Sequence, residues 1–326
     1  MAAVETMVTA TIPDIRSAGP GAIGIRCSDD VVRSTLQSWV DALQLSPPVP
    51  LWLDIGIAEP GKAPAGHPIF RQPGIAFYSG LHMEWRSARA SATLTPDSPV
   101  ACVTLSHAAL ARLDECARVF LSAVVILLLR RSGWHHMHGA MAFDPRGFGW
   151  LIIGDSGAGK STTTALLAAK GWRVGSDDIV FVGDGTGGRV TVMAARTPIA
   201  LRARSQRLFD AAGWGTGGTG GTPLSRRRKV GYWPEELGSQ WIDRIDPDII
   251  AFVSPGQGHV TRATPIGPRE AAASLVRSSA WVLLEPELAQ SHLDLLGRLA
   301  AQARSFRVRL ASDLFTSPAR LQELIA

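Results

Sequence analysis

The chain has 326 residues, of which 46% are hydrophobic and 19% charged, with Gly and Pro spread throughout. That balance supports one long or two ordinary globular domains and excludes a disordered or fibrous chain. The net charge is +5 and the pI near 9.5. The charge is dispersed, which suits anionic ligands without marking a nucleic-acid reader.

Only four lysines occur, Lys62, Lys160, Lys170 and Lys229, so arginine carries nearly all the positive charge. Cys27, Cys102 and Cys116 are far apart and lack CxxC spacing. They indicate neither a disulfide framework nor a zinc knuckle and fit a reducing cytoplasm. The N-terminal MAAVETMVTATIPDIR carries Glu5 and Asp14 and has no basic segment followed by an apolar core, so no secretory signal is expected. The longest apolar run, Val119–Leu129, is broken only by Ser122 and is too short to cross about 30 Å of hydrocarbon. A cytoplasmic protein with no membrane partner is expected.

In chain order, Ala22–Arg26 reads as extended, Asp29–Leu43 as a helix capped by Ser28 or Asp29, and Val49–Ile57 as extended. Gly74–Tyr78, Leu81–Trp85 and Val100–Leu105 are further strand candidates, and one long helix is expected from His107 to Arg131. Residues 1–131 thus read as an N-terminal α+β module. Two strands, Met137–Phe143 and Gly149–Ile153, flank a turn at Asp144-Pro145-Arg146-Gly147. A helix over Lys160–Lys170 and strands at Ile179–Val182 and Val190–Ala194 follow. The stretch Ala211–Thr222 contains GWGTGGTGGT, expected to be mobile or disordered. Beyond it come a strand at Ile249–Val253, helices at Pro268–Arg277 and Glu287–Ala303, a strand at Phe306–Leu310 and a closing helix at Pro318–Ile325.

Gly154-Asp155-Ser156-Gly157-Ala158-Gly159-Lys160-Ser161 fills every fixed position of GxxxxGK[ST], between an apolar strand and a helical segment. Glycines let successive N–H groups face phosphate oxygens, and the following helix adds its dipole. Lys160 then supplies a point charge to the β/γ-phosphates, and the Ser161 hydroxyl a ligand for magnesium; Gly154 through Thr162 form the nucleotide site. Asp177 and Asp178 follow Gly154 by 23 and 24 residues, ahead of their apolar strand rather than after it. Paired carboxylates beside a phosphate can divide labour, one toward magnesium and one accepting the proton of an attacking hydroxyl. His138, 16 residues before Gly154, shares a strand face with His136, while His135 faces the other side. The basic run Arg226–Lys229 is placed to close as a lid over a triphosphate, with Arg226 contacting it. Arg196 and Arg202 are further candidates by position.

Together HGAMAF, GDSGAGKST and GSDDIVF resemble the HPr kinase family and its shorter relatives, which include kinases that tailor ribosomally made peptides such as lasso peptides. The clear likeness spans His135–Val182, with a looser one through Arg196–Arg202, Arg226–Pro234 and Ile249–Val253. The resemblance implies a PEP-carboxykinase-like α/β kinase core over residues 132–326, with ATP and Mg2+ as cofactors. It further implies phosphoryl transfer to a hydroxyl, classically a protein serine. By position it makes Asp177 the catalytic carboxylate assisted by His138, and Asp178 a magnesium-side acid. Thr162 stands where HPr kinases usually carry Glu, and their later Arg-Gly-x-Gly-Ile signature is missing, which argues against HPr itself as the substrate. A protein or peptide substrate is therefore expected, without nucleic acid, and with room for a homo-oligomer. A nucleotide-dependent ATPase or switch with a partner-binding N-terminal module, and a small-molecule kinase, are the alternatives.

Overall fold

The computed structural model describes residues 21–62, 64, 66–72, 74–95, 98–211, 221–224, 229–279 and 284–325. Most of the glycine-rich stretch and the whole of Arg226-Arg227-Arg228 lie outside the described residues. The first strand, β1 (Ile23–Cys27), leads through Asp29 into α1 (Asp30–Ala42). The Asp29 carboxylate accepts from the N–H groups of Val31 and Val32 at 2.9 and 3.0 Å, satisfying donors that a helix start leaves open. Val32, Leu36 and Val40, spaced by four, turn inward.

The chain continues as β2 (Leu51–Ile57), β3 (Phe70–Gln72), β4 (Ile75–Tyr78), β5 (His82–Trp85), β6 (Ala90–Leu94) and β7 (Val100–Leu105). These make a seven-stranded sheet in the order β1-β2-β7-β6-β5-β4-β3. Strands β1, β2 and β7 run parallel and the remainder form an antiparallel meander. Strands β3 and β6 are not expected from the sequence. The segment ASATL has weak strand propensity, and β6 exists because β5 and β7 pair with it on both sides.

The single helix expected from His107 to Arg131 is broken. Ser106 caps α2 (His107–Leu110), and Arg112 leaves the helical region at φ −128°, ψ 39°. Its guanidinium bonds Glu115 and lies 5.1 Å over the Trp85 ring. After α3 (Leu113–Glu115) a π-helical stretch, Cys116–Leu121, precedes α4 (Ser122–Arg131). Every residue from Ala123 to Arg130 is buried, so α4 has no solvent face for a single amphipathic stripe to mark.

The second part comprises β8 (His135–Phe143), β9 (Gly149–Ile153), α5 (Lys160–Ala168), β10 (Arg173–Val174), β11 (Ile179–Asp184), β12 (Val190–Ala194), β13 (Ile199–Arg202) and α6 (Ala203–Ala211). Then come β14 (Thr222–Leu224), β15 (Lys229–Tyr232), β16 (Arg244–Ile245), β17 (Ile249–Pro255), β18 (Arg262–Ile266), α7 (Pro268–Arg277), α8 (Pro286–Gln302), β19 (Arg304–Leu310), α9 (Asp313–Thr316) and α10 (Arg320–Glu323). The large sheet has the order β16-β12-β11-β8-β9-β17-β19-β18, with β10 beside β8. In it β9, β17 and β19 are parallel, and the other pairings are antiparallel. Asp144 closes the β8–β9 hairpin by accepting from the N–H groups of Arg146 and Phe148 and from the Trp150 indole.

Alternation along β9 sets the layers. Trp150 and Ile152 pack with Leu166 and Leu167 of α5 on one face, and Leu151 and Ile153 with Leu295, Leu296 and Leu299 of α8 on the other. The fold is mixed α/β, as expected. A small antiparallel sheet, β13-β15-β14, sits beside α5 and was not read from the sequence. The expected closing helix shortens to α10. The apolar cluster of the first sheet runs through α4 to Trp134, Phe181 and Met193, so the two sheets share a core. No helix among the described residues is long and apolar enough to cross a membrane.

Where α4, β8 and α8 meet, the His135 and His292 rings stack 4.1 Å apart at 18°. An Arg130 N–H donates to His292 Nδ1 at 3.0 Å, and since Arg cannot accept, that nitrogen carries no proton. His292 Nε2 then donates to the Ser279 hydroxyl at 3.0 Å, and that hydroxyl donates to the His136 carbonyl at 3.2 Å. Burial, with Arg130 beside both rings, pushes His135 down to about 4 and His292 to about 3. Both rings are neutral in the fold at pH 7, while the unfolded chain takes up protons below about pH 6.5. Stability should therefore be flat above that pH and fall between about pH 6.5 and 3, by roughly 2 kcal/mol at pH 5 for His135 alone. Urea unfolding at pH 7.5 and 5.0 measures this; a flat profile would mean that water reaches the rings.

Candidate functional site

Strand β9 is buried between β8 and β17 and ends at Gly154. A Cβ there would lie 2.5 Å from the Val253 carbonyl oxygen, so only glycine lets the chain leave the sheet at this point. Gly159, at φ 102°, turns the loop into α5. The first N–H groups of α5 have no helical partner, and Ser156, Gly157, Gly159, Lys160, Ser161 and Thr162 line a cavity of about 750 Å³. Lys160 curls back over the loop, with Nζ donating to the carbonyls of Gly154 at 2.5 Å and Asp155 at 3.2 Å. Burial lowers its pKa, and the charges of Asp178, Asp177 and Asp155 work against that fall. Such a loop offers an anion a ring of N–H donors and one compact cation.

Asp177 and Asp178 enter the cavity from a bend that Ser176 organises. The buried Ser176 hydroxyl accepts from the N–H groups of Asp178 at 3.1 Å and Ile179 at 2.8 Å. Backbone N–H groups of Gly139 and Met141 on β8 bond the Asp178 and Ser176 carbonyls, tying the bend to the strand that carries His138. The two carboxylates then diverge. Asp177 is 2% exposed, hydrogen-bonds the Ser161 hydroxyl and accepts from the Ala200 N–H at 3.2 Å. Burial raises its pKa despite those bonds. Asp178 is exposed to the cavity, and its Oδ1 lies 2.6 Å from His138 Nδ1. Burial of the rest of its surroundings acts upward, but the His138 hydrogen bond and the charges of His138 and Lys229 outweigh it and hold the carboxyl below its usual range.

The pairing implied by the resemblance is thus exchanged: His138 reaches Asp178, while Asp177 sits against Ser161. Extended geometry explains this, because β8 and β11 are antiparallel neighbours with His138 opposite Ile179, next to Asp178. His136, on the same face, lies edge-on to Phe181 at 5.8 Å.

Gly154, Asp155 and Ala158 shape the loop rather than line the cavity, and Arg226 lies outside the described residues. Arg202 lines the cavity and Arg196 does not; the latter bonds Glu235 and lies 5.5 Å from the rings of Trp233 and Trp241. Thr197, Pro198, Ala200, Arg204 and Ser205 also line it and were missed. They belong to β13, α6 and the turn before them, where no motif marks them and only the small sheet brings them to the loop. Thr162 and Ser205 share a hydrogen bond of 2.8 Å, which fixes α6 to the start of α5.

Magnesium is a hard cation that takes few protein oxygens alongside phosphate and water. The Ser161 hydroxyl and the adjacent Asp177 carboxylate are such donors, on the wall that carries the phosphate loop. The residues present fit the ion.

No family model and no curated protein matches the chain. Among solved structures, the Hpr(Ser) kinase/phosphatase from Coxiella burnetii is similar over 58% of this chain and 97% of its own, at 10% identity and a TM-score of 0.29. A likeness of that degree does not assign a family.

Proposed function

We propose that the protein is an ATP- and magnesium-dependent kinase that transfers the γ-phosphoryl group to a hydroxyl, a serine of a protein or of a ribosomally made peptide. The observation that carries this reading is the convergence, in one cavity, of the phosphate loop with the Asp178–His138 pair. The motif resemblance in His135–Val182 supports the acceptor class and a PEP-carboxykinase-like core. Lys160 and the loop N–H groups hold the β/γ-phosphates. Ser161 and Asp177 hold magnesium, which when bound neutralises charge developing on the phosphoryl oxygens. Asp178, open to the cavity, takes the acceptor hydroxyl's proton, and His138 orients the carboxylate through Oδ1, leaving Oδ2 for the acceptor.

The test is transfer of radiolabelled γ-phosphate, with magnesium, to a panel of serine-containing peptides and proteins including the protein itself. Label on a serine in at least one acceptor is expected. Release of free phosphate at one rate whatever acceptor is offered would overturn the kinase reading in favour of an ATPase or switch.

A further inference from the structure

We propose that Lys229, flanked by Arg202 and Arg204, forms a second phosphate clamp opposite Lys160, making the site selective for nucleoside triphosphate over diphosphate. The inference rests on the nucleotide-binding part of the proposed function. All three cations line the same cavity as the phosphate loop, and none makes a hydrogen bond or ion pair with a described residue. Away from the cavity Arg189, Arg196, Arg298 and Arg307 have acidic partners, while Arg262, Arg269 and Arg309 have none among the described residues, so what sets Lys229, Arg202 and Arg204 apart is that they share one cavity. Unpaired like charges gathered on one wall repel one another and Lys160, and an anion between them removes that repulsion.

The small sheet holds this wall in place. Arg202 on β13 pairs directly across from Lys229 on β15, so both project from one face, and Arg204 lies in the first turn of the helix that follows β13. The sheet is anchored to the loop at several points. The Ala200 N–H bonds Asp177, Ser205 bonds Thr162, and Ile199 and Leu201 are buried in the cluster that holds Leu166 and Leu167 of α5. Gln206 of α6 also bonds the Tyr232 hydroxyl at the end of β15. Lys229 is electrostatically close to the reacting end of the site, because its charge acts on Lys160, Asp177 and Asp178 together.

Charge balance names the ligand class. Four cations face two carboxylates in the cavity, an excess of two positive charges. A magnesium-bound triphosphate carries about two negative charges and a diphosphate about one, so the cavity is neutralised by the former. The chain has only four lysines, and two of them, Lys160 and Lys229, face this one cavity. A compact, rotatable ammonium suits a phosphoryl group that moves between donor and acceptor better than a rigid guanidinium fork.

The experiment titrates the native protein, K229Q, R204Q and K160M with Mg·AMP-PNP and Mg·ADP by calorimetry, each variant first confirmed folded by its thermal melt. K229Q is expected to weaken AMP-PNP binding about tenfold while ADP stays within about twofold, since a charged hydrogen bond to a phosphate is lost only with the triphosphate. R204Q, on a different element, is expected to shift the same ratio in the same direction. An AMP-PNP to ADP ratio unchanged in both variants overturns the clamp, including the case in which the cations serve the acceptor instead. If the native protein binds neither nucleotide, or K160M binds both as well as native, the nucleotide site itself fails and the clamp with it.

Discussion

Asp178→Asn is expected to slow phosphoryl transfer about 10²–10⁴-fold while Mg·ADP affinity stays within about twofold of native. Asparagine keeps the size of the side chain and a carbonyl oxygen to meet His138, so the 2.6 Å contact survives, but it cannot take a proton from an attacking hydroxyl. Asp177→Asn carries a different signature. That side chain is buried against Ser161, so its loss is expected to raise the magnesium concentration needed for half-maximal activity. Part of the activity is then expected to return at high magnesium, which it is not for Asp178→Asn. The decisive comparison is a magnesium titration of transfer rate in both variants. Loss of activity in Asp177→Asn at every magnesium concentration, with Asp178→Asn near native, would restore the role that the motif alone gives Asp177.

The contact between His138 and Asp178 rather than Asp177 shows where sequence stops informing the site. The phosphate loop is legible because its constraints are local: Gly154 must clear the Val253 carbonyl, Gly159 must adopt φ 102°, and Lys160 must curl over the loop it follows. The acidic pair is legible as a pair for the same reason, since Ser176 bonds the backbone two and three residues on. Which carboxylate meets His138 is set by the register of β8 against β11, a contact across 40 residues that spacing cannot fix. The cationic wall is further removed. Arg204 and Ser205 reach the cavity only through β13, a strand of four residues with little periodicity to announce it, whereas Lys229 belongs to the basic run Arg226–Lys229 that the sequence marks.

The fold divides along similar lines. Strands β9, β11, β12 and β17 stand out as apolar runs because the helices packed on the sheet, α4, α5 and α8 among them, bury its two faces. The helix from His107 to Arg131 misleads for the opposite reason: a segment buried all round gives no stripe from which a break or a π turn is seen. Its polar end, Arg130-Arg131, suggests a solvated C-terminus that favours the helix dipole, yet Arg130 is 1% exposed.

Glu285→Ala is expected to cost about 3–5 kcal/mol of stability, because it strips the acidic partner from that buried arginine. Glu285 is itself 2% exposed and lies 3.1 Å from Arg130 and 2.8 Å from Arg131. Arg130 is almost wholly shielded from water, and its other partners include His292 and the Glu285 carbonyl, neither of which carries a negative charge. His292 cannot relieve it, since a ring that accepts from Arg130 is already neutral. Replacing Arg130 and Glu285 together, as Arg130→Met with Glu285→Leu, is expected to recover much of the loss, because the buried charge is gone and Arg131, the other partner of Glu285, has 15% of its side chain exposed to water. Urea unfolding of the two variants separates this from simple cavity formation, for which the double variant would recover little. The effect should also reach the site. The stacked His135 opens β8, and His138, three residues on, holds Asp178. A strand released at His135 therefore loosens the carboxylate at the reacting end, so Glu285→Ala is expected to lower the transfer rate more than nucleotide affinity, although it touches neither nucleotide nor acceptor.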